Sequence, residues 1–315
     1  MKILLTSTSF QDTPGKHHDA LSETGFEVDK IRGPVKQNVL LPIIEQYDGV
    51  ICGEDIFSRE VIEKGNRGKL KVISKYGIGL DKINLKAASE LGVEVTNCPG
   101  VNHITVAEHV FALLLTYYKN IHLEYNYIQK GQWTRLIGHE IFNKKIGIIG
   151  LGRIGKEVAK RALAFGLDVF AYDIDLDQKF IQQFKIKILS NMKESFQQCD
   201  IVTIHMNLTE DNKNIISDST FDNMGNNKVV IVNTARADLI EMDALINGLN
   251  NNYISAYLTD VLEEEPMNLN HPLQSRNNVI ITPHIGSRTY ESVQRQGQMA
   301  VDNLLNYLNK YDTRI

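Results

Sequence analysis

Three segments in the C-terminal half of the sequence carry side chains suited to chemistry at a carbonyl group. Arg236 and His284 each follow an apolar run, and residues 260–265 between them hold four carboxylates. An arginine can bind a carboxylate through two parallel hydrogen bonds, and a histidine can transfer a proton near neutral pH. Each feature also has a simpler explanation: a surface ion pair, a histidine satisfied within its loop, and a solvated acidic run. A catalytic interpretation therefore depends on what precedes them.

A glycine-rich motif precedes these segments. Residues 145–159 contain the pattern Gly150-x-Gly152-x-x-Gly155, with an apolar strand before it and an amphipathic helix predicted over Ile154–Phe165 after it. In this pattern the first glycine permits a tight turn, the second lets a pyrophosphate approach the backbone, and the third lets helix and strand pack closely. The helix N-terminus offers free N–H groups to the phosphates. The motif in this context predicts dinucleotide binding.

Asp173 indicates which dinucleotide is bound. It follows the predicted strand Val169–Tyr172 and stands 18 positions after Gly155. This is about the distance at which an acidic side chain reaches the ribose hydroxyls of the adenosine. Ile174 and Asp175 follow, and neither is a basic residue that would hold a 2′-phosphate, so NAD is favoured over NADP. The alternative for Asp173, taken alone, is a solvated loop residue.

Strand-like and helix-like segments alternate along the chain. The first series of predicted strands is Ile3–Thr6, Gly49–Ile51, Lys71–Ser74 and Val93–Thr96, with helices over Val39–Gln46 and Leu85–Leu91. The second series is Lys145–Ile149, Val169–Tyr172, Ile201–Ile204, Val229–Asn233 and Val279–Thr282. This alternation predicts parallel sheets covered by helices. A long helix is predicted over Val106–Ile128, and a last helix over Ser287–Leu308 is expected to return to the first domain.

Composition limits the class of protein. The 315 residues exceed what one hydrophobic core usually organises, which predicts two domains. The net charge of −4 disfavours nucleic-acid binding, because a phosphate backbone binds a basic surface. The apolar runs are far shorter than the roughly 20 residues of a membrane helix, and no secretory signal opens the chain. Three widely spaced cysteines fit buried thiols in a reducing cytoplasm, and no metal site is expected.

Taken in order, these motifs resemble those of the D-isomer-specific 2-hydroxyacid dehydrogenase family. The resemblance covers almost the whole chain, through GLGxIG at 150–155, N-x-x-R at 233–236, D-V-x-x-x-E-P at 260–266 and P-H-x-G at 283–286. Within the family the similarity is greatest to 3-phosphoglycerate dehydrogenases, in residues 77–81, 97–100, 106–108 and 131–133.

The resemblance implies a fold and a division into domains. The fold would be α/β, with two doubly wound parallel-sheet domains of Rossmann-like and flavodoxin-like type. An NAD-binding domain, residues 101–286, would be inserted into a discontinuous substrate domain, residues 1–100 and 287–315.

The resemblance also implies the roles of site residues. Arg236 would bind the substrate carboxylate, His284 would act as general acid and base, and Glu265 would bind the other imidazole nitrogen. Asp260 would lie near the nicotinamide carboxamide. NAD contacts are implied for Gly150, Gly152, Arg153, Ile154, Gly155, Asp173, His205, Thr209, Thr234, Ala235, Asp260, His284 and Gly286. Substrate contacts are implied for Lys75, Tyr76, Gly77, Ile78, Gly79, Asn102, Arg236 and His284.

Three positions depart from the family pattern. Ala237 stands where a glycine usually follows the arginine, and Asn207 stands where a proline is typical. The stretch Tyr257–Thr259 is bulkier than the usual run of small residues. We expect local changes in the nicotinamide pocket from these departures, without loss of activity.

The preferred substrate expectation is 3-phosphoglycerate and its 2-oxo product, hence a place in serine biosynthesis. Lys75, Arg135 or Arg288 would then contact the phosphate; the alternative for each is a solvated loop cation. An uncharged lining near Lys75 would instead favour glyoxylate, hydroxypyruvate or another unphosphorylated 2-oxo acid. A different class, an NAD-sensing co-regulator that binds a macromolecule, stays open because the fold alone does not establish function.

Two expectations concern assembly. The chain ends soon after the last predicted helix, so no C-terminal regulatory domain is expected. The family usually pairs through the cofactor domain, so a homodimer is expected through the predicted helix Val106–Ile128.

Overall fold

The computed structural model describes residues 1–221, 224 and 227–312, without the side chains of 310–312. The end of the predicted substrate domain, 313–315, lies outside the described residues. Two compact units are present. One comprises Met1–Asn102 and the chain from Ser287 onward, and the other comprises His103–Gly286.

The first unit contains a five-stranded parallel sheet. Its strands are β1 Lys2–Leu5, β2 Glu27–Lys30, β3 Gly49–Cys52, β4 Val72–Lys75 and β5 Glu94–Thr96, in the order β2-β1-β3-β4-β5. Its first helices are α1 Thr8–Asp12, α2 Lys16–Ser22, α3 Gln37–Leu40, α4 Arg59–Arg67 and α5 Leu85–Leu91, with a 3-10 helix over Ile44–Gln46. β3 and β4 are buried along their whole length, because helices cover both faces of such a sheet.

The second unit contains a seven-stranded parallel sheet. Its strands are β6 Lys145–Ile149, β7 Asp168–Tyr172, β8 Lys187–Ile188, β9 Ile201–Ile204, β10 Val229–Asn233, β11 Ile254–Thr259 and β12 Val279–Ile281. Its helices are α6 His103–Tyr118, α7 Ile121–Gln129, α8 Arg153–Ala164, α9 Gln178–Phe184, α10 Lys193–Gln198, α11 Asp218–Phe221 and α12 Met242–Asn250. Two 3-10 helices, Glu210–Asn212 and Ala237–Leu239, follow β9 and β10.

The strand order of this sheet is β12-β11-β10-β9-β6-β7-β8. The chain winds in one direction from β6 to β8 and in the other from β9 to β12. Ligands of open α/β sheets bind at the carboxyl ends of the strands where the order reverses, here between β6 and β9. The two parallel sheets confirm the predicted fold class.

The predicted single helix Val106–Ile128 is wrong in its continuity. α6 ends at Tyr118, and Asn120 has a φ of +55°, a left-handed conformation that ends the helix before α7 begins. The apolar side of α6 packs within its own unit, where Val110, Phe111 and Leu114 are buried.

The last helix, α13 Tyr290–Asp312, belongs to the first unit, as the sequence predicts. Its buried residues Val301, Leu304 and Leu308 pack in one core cluster with Ile3 and Val72 of the sheet. Among the described residues, none of the helices has the length and apolar character needed to cross a membrane.

Candidate active site

The glycine-rich turn joins β6 to α8 as predicted. Gly150 has a φ of +97°, which L side chains rarely adopt, and a Cβ there would lie 2.7 Å from the carbonyl oxygen of His205. At Gly155 a Cβ would lie 2.0 Å from the carbonyl oxygen of Gly150. Any side chain at either position would force the turn apart, so the strand and the helix approach this closely only because both residues are glycine.

The residues around this turn fit a dinucleotide. A Cβ on Gly152 would meet no atom within 4 Å, so the space beside the start of α8 is open. Gly152 is the N-cap of α8, and no side chain of the described residues caps the helix there. Asp173 accepts a hydrogen bond from the backbone N–H of Leu151 at 2.5 Å and another from Asp175 at 3.0 Å. The acidic side chain therefore lies directly beside the turn, where an adenosine ribose would bind.

Two polar atoms on this edge of the sheet are buried and lack a hydrogen-bond partner among the described residues. They are Nδ1 of His205, after β9, and Oγ1 of Thr234, after β10. Burial lowers the pKa of His205 to about 3, so its imidazole is neutral. Because buried polar atoms are normally paired, these two atoms fit a polar ligand at this edge. The exposed Thr209, a further predicted cofactor contact, caps the 3-10 helix Glu210–Asn212 with its side chain.

His284 is paired with Glu265. Nδ1 of His284 lies 2.8 Å from Oε2 of Glu265, and Oε1 of Glu265 accepts the N–H of Leu262 at 3.1 Å. A carboxylate can only accept, so the proton of this bond is on Nδ1. The neighbouring Glu263 contacts His271 instead, at 2.9 Å. The acidic run is thus divided: Glu265 contacts His284, and Glu263 contacts His271.

The loop that carries His284 is held by Asp260. This carboxylate is 3% exposed and accepts hydrogen bonds from Thr282 Oγ1 at 2.6 Å, Ile285 N at 2.9 Å and Gly286 N at 2.7 Å. Burial by itself raises the pKa of Asp260, but the His109 imidazole 3.4 Å away and the hydrogen bonds from Thr282 and Ile285 outweigh it and hold the pKa below its ordinary value. Asp260 is therefore an anion that anchors both sides of His284.

Arg236 stands on a loop organised by Asn233. The Asn233 side chain accepts the N–H of Ala235 at 3.0 Å and donates to the carbonyl oxygen of Arg236 at 2.9 Å. It also donates to the hydroxyl of Tyr257 at 3.2 Å. The bulky Tyr257 is thus a buried support of the arginine loop. Ala237 begins a 3-10 helix, whose right-handed backbone alanine adopts without strain.

The first unit holds the predicted substrate loop at the carboxyl end of β4. Cys98 N donates to the carbonyl of Gly77 at 2.8 Å, and Asn97 Nδ2 donates to that of Ile78 at 2.8 Å. Within the described part of the chain, the N–H groups of Gly77, Ile78 and Gly79 have no acceptor. A loop with tethered carbonyls and open N–H groups can bind an anion. Asn102 is 9% exposed, and its buried Oδ1 has no partner among the described residues.

Lys75 is placed differently from the predicted phosphate contact. It is 2% exposed, and its Nζ donates to the carbonyl oxygen of Gly53 and to Oε1 of Glu54 at 2.5 Å. The other oxygen of Glu54 lies 3.7 Å from Nζ of Lys82. Arg288, also considered for a phosphate, donates to Thr8 Oγ1 at 2.5 Å. The charge of Lys75 is thus paired inside the unit and is not presented to solvent.

Four residues with clear structural roles were not singled out from the sequence. Asn233 and Thr282 lie inside or directly beside the recognised motifs, and this position could have marked them as site residues. Glu54 and His109 had no signal, because each contacts a site residue that is distant along the chain.

A parallel sheet with an open glycine-rich turn, an acidic residue after the second strand and a His–Glu pair at the same edge define a dinucleotide-dependent oxidoreductase. Residues 111–286 match the family model for the D-isomer specific 2-hydroxyacid dehydrogenase NAD binding domain. The chain belongs to this family of NAD-dependent oxidoreductases, and the predicted cofactor NAD is confirmed.

Named relatives cover this chain almost completely. It is 36% identical over 306 residues, 96% of its length, to D-3-phosphoglycerate dehydrogenase of Methanocaldococcus jannaschii, but the match spans only 57% of that protein. It is 30% identical to glyoxylate reductase of Korarchaeum cryptofilum, over 90% of this chain and 87% of the relative. The crystal structure of TT0316 from Thermus thermophilus superimposes with a TM-score of 0.86, at 33% identity, over 98% of this chain and 97% of that one.

Proposed function

We propose that this protein is an NAD-dependent D-2-hydroxyacid dehydrogenase that interconverts a small 2-hydroxy acid and its 2-oxo acid. The observation that carries the proposal is the hydrogen bond of 2.8 Å between His284 Nδ1 and Glu265 Oε2, at the carboxyl edge of a sheet with a dinucleotide turn. Imidazole held in this way by a carboxylate is suited to general acid and base catalysis.

His284 moves the proton at Nε2. In the reducing direction Nε2 donates a proton to the carbonyl oxygen of the 2-oxo acid, and in the oxidising direction it accepts the hydroxyl proton. Glu265 fixes the ring orientation and stabilises the imidazolium, because its negatively charged carboxylate is hydrogen-bonded to Nδ1 of His284. When bound, NAD supplies the hydride chemistry at the substrate carbon. We expect NAD to be bound by Asp173, His205 and Thr234.

Arg236 binds the substrate carboxylate in this proposal. Its guanidinium stays charged at any working pH and can make two parallel hydrogen bonds to a carboxylate. Asn233 fixes the loop on both sides of the arginine, at Ala235 N and at the Arg236 carbonyl, so the guanidinium starts from a defined backbone. The predicted substrate contacts of the first unit, Tyr76–Gly79 and Asn102, are kept in the proposal.

Two substrate classes are candidates. The similarity to a D-3-phosphoglycerate dehydrogenase favours the phosphorylated acid, and with it the role in serine biosynthesis. The ion pair between Lys75 and Glu54 favours an unphosphorylated acid, because the lysine expected to meet a phosphate is buried and already neutralised. We give more weight to this observation, since it concerns the side chains of this chain, and we propose glyoxylate or hydroxypyruvate as the substrate class to test first.

The domain roles and the assembly are kept as proposals. Residues 101–286 form the NAD-binding domain and residues 1–100 with 287–315 the substrate domain, in a cytoplasmic homodimer. Support for a dimer comes from exposed apolar side chains on α7 and the segment after it, where Tyr125 is 63%, Trp133 82% and Ile137 94% exposed. Sedimentation should give a dimer, and replacing Trp133 and Ile137 with serine should give a monomer; a monomeric parent protein would contradict the proposal.

The test of function is NADH oxidation by the purified protein with glyoxylate, hydroxypyruvate, pyruvate and phosphohydroxypyruvate. We expect turnover of an unphosphorylated acid, and a loss of about 10²- to 10⁴-fold in His284→Ala. NADH binding should be unchanged in this variant. A preference of about 100-fold for phosphohydroxypyruvate would reverse the choice of substrate class. Bound NADH without turnover of any acid would contradict the enzymatic proposal and favour the co-regulator alternative.

A further inference from the structure

His109 lies at the back of the loop that carries His284. It belongs to α6, its side chain is 14% exposed, and Nε2 lies 2.9 Å from Thr282 Oγ1 and 3.4 Å from Asp260 Oδ1. Nothing in the sequence marks this histidine, which is 173 positions from Thr282. It is a polar contact from a helix whose residues Val110, Phe111 and Leu114 pack into the hydrophobic core of the unit.

The direction of the hydrogen bonds can be assigned. The hydroxyl of Thr282 has one proton, and its shortest contact is the carboxylate of Asp260 at 2.6 Å, which can only accept. The hydroxyl therefore donates to Asp260, and Nε2–H of His109 donates to the hydroxyl oxygen. The result is a chain of donors from His109 through Thr282 to Asp260.

Asp260 connects these side-chain hydrogen bonds to the backbone that follows His284. Its two oxygens accept the N–H groups of Ile285 and Gly286, the residues that directly follow the histidine. Gly286 approaches so closely that a Cβ there would lie 2.8 Å from Asp260 Oδ2. The loop is thus fixed at Thr282 on one side of His284 and at Ile285–Gly286 on the other.

The backbone of His284 needs such support. Its φ is +52°, in the left-handed region that a residue with a side chain adopts only when its surroundings hold it there. Without the contacts to Thr282, Ile285 and Gly286, the loop could relax and move the imidazole away from Glu265.

We propose that His109 is a positioning residue for the reaction: through Thr282 and Asp260 it holds the loop 282–286 so that His284 keeps its catalytic orientation. This inference rests on the proposed role of His284. His109 needs no contact with substrate or NAD, so its loss should lower kcat with little effect on NADH binding.

The test compares His109→Leu with His109→Gln. Leucine removes the donor, whereas the amide nitrogen of glutamine can donate to Thr282 from nearly the same place. We expect kcat to fall by about 10- to 100-fold in the leucine variant, because small misplacements of a catalytic group are costly. The glutamine variant should stay within about threefold of the wild type. The control is His122→Leu, which removes from the same unit an imidazole whose bond within the described residues is to the Thr116 carbonyl, at 3.3 Å.

Hydrogen exchange of the Ile285 and Gly286 amides gives a second readout that needs no turnover. We expect about tenfold faster exchange of these amides in His109→Leu, and wild-type exchange in His109→Gln. Equal kcat and equal exchange in His109→Leu and His122→Leu would overturn the inference. The inference would also be overturned if the glutamine variant were as impaired as the leucine variant and amides throughout the unit lost their protection from exchange. That result would indicate that His109 acts through the general packing of the unit. If the wild type turns over no acid, the proposed function fails, and the exchange data alone decide whether His109 holds the loop.

Discussion

The pairing of His284 with Glu265 predicts a measurable loss in the variant Glu265→Gln. Glu265 accepts two hydrogen bonds, from His284 Nδ1 at 2.8 Å and from Leu262 N at 3.1 Å. Glutamine has the same size but only one acceptor oxygen and no charge. It can satisfy one of the two donors, and the other then faces an amide NH₂ group.

The magnitude follows from the kind of bond that is lost. A hydrogen bond to a charged group contributes about 1.5–3 kcal/mol. The side chains of His284 and Glu265 are 30% and 23% exposed, so water screens part of their interaction and the lower half of that range applies. At about 1.4 kcal/mol for each factor of ten, we expect kcat to fall by about 10- to 40-fold.

The pH profile should change in a defined direction. In reduction, His284 must be protonated to donate from Nε2, and the Glu265 carboxylate favours the protonated form. Its replacement by an amide favours the neutral imidazole, so the fall in kcat at high pH should begin at a lower pH than in the wild type. NADH binding, followed by fluorescence, should be unaffected.

The matched control is Glu264→Gln, which makes the same change in net charge at the adjacent, exposed position. Steady-state kcat is measured across pH for both variants with the best 2-oxo acid of the panel. If Glu265→Gln and Glu264→Gln share one kcat and one pH profile, the role assigned to the carboxylate is wrong.

Three further predictions concern cofactor binding and stability. Gly155→Ala should lower the free energy of unfolding by about 1–3 kcal/mol, because its Cβ would lie 2.0 Å from a carbonyl oxygen. Gly152→Ala has open space around its Cβ, so it should weaken NADH binding and leave the free energy of unfolding unchanged. Urea unfolding and NADH titration measure the two effects, and an equal loss of stability in both variants would count against the assignment. Asp173→Ala should weaken NAD binding and narrow the preference for NAD over NADP, so an unchanged ratio of the two affinities would contradict the ribose contact. Burial lowers the pKa of His205 from 6.5 to about 3, so below pH 6.5 the unfolded chain binds a proton there that the folded chain does not. The free energy of unfolding should therefore fall as the pH drops below 6.5. His205→Gln should make this pH dependence of the free energy of unfolding weaker, and an identical dependence would refute the assignment.

Much of the fold follows from local sequence patterns. β6, β9, β10 and α5 have the predicted bounds, because each is a compact apolar run or a helical period closed by clear end signals. At α5 these signals are Asn84, whose side chain accepts the N–H of Ala87 at 2.9 Å, and a left-handed Gly92.

Elements at the edges of the sheets carried less signal. β2, with the sequence EVDK, and β8, with two exposed residues, were not predicted, because edge strands need no continuous apolar run. The interior strand β11 was not predicted either. The break at Asn120 was missed, since the apolar period continues across it from α6 to α7.

The site divides in the same way. The family resemblance implied the pairing of His284 with Glu265, and the spacing after Gly155 indicated a cofactor-side position for Asp173. The ion pair between Glu54 and Lys75 and the contact of His109 with Thr282 could not be predicted, because both depend on how distant segments meet. The first of these changed the proposed substrate class.

Stereochemistry shows whether His284 carries out D-specific 2-hydroxyacid chemistry with NAD. NAD reduction is measured with the separate D- and L-isomers of glycerate and lactate, using the wild type and His284→Ala. We expect turnover of a D-isomer, no detectable turnover of its L-isomer, and loss of the D-activity in the variant while NADH still binds. Turnover of the L-isomer, or D-activity that survives without His284, would contradict it.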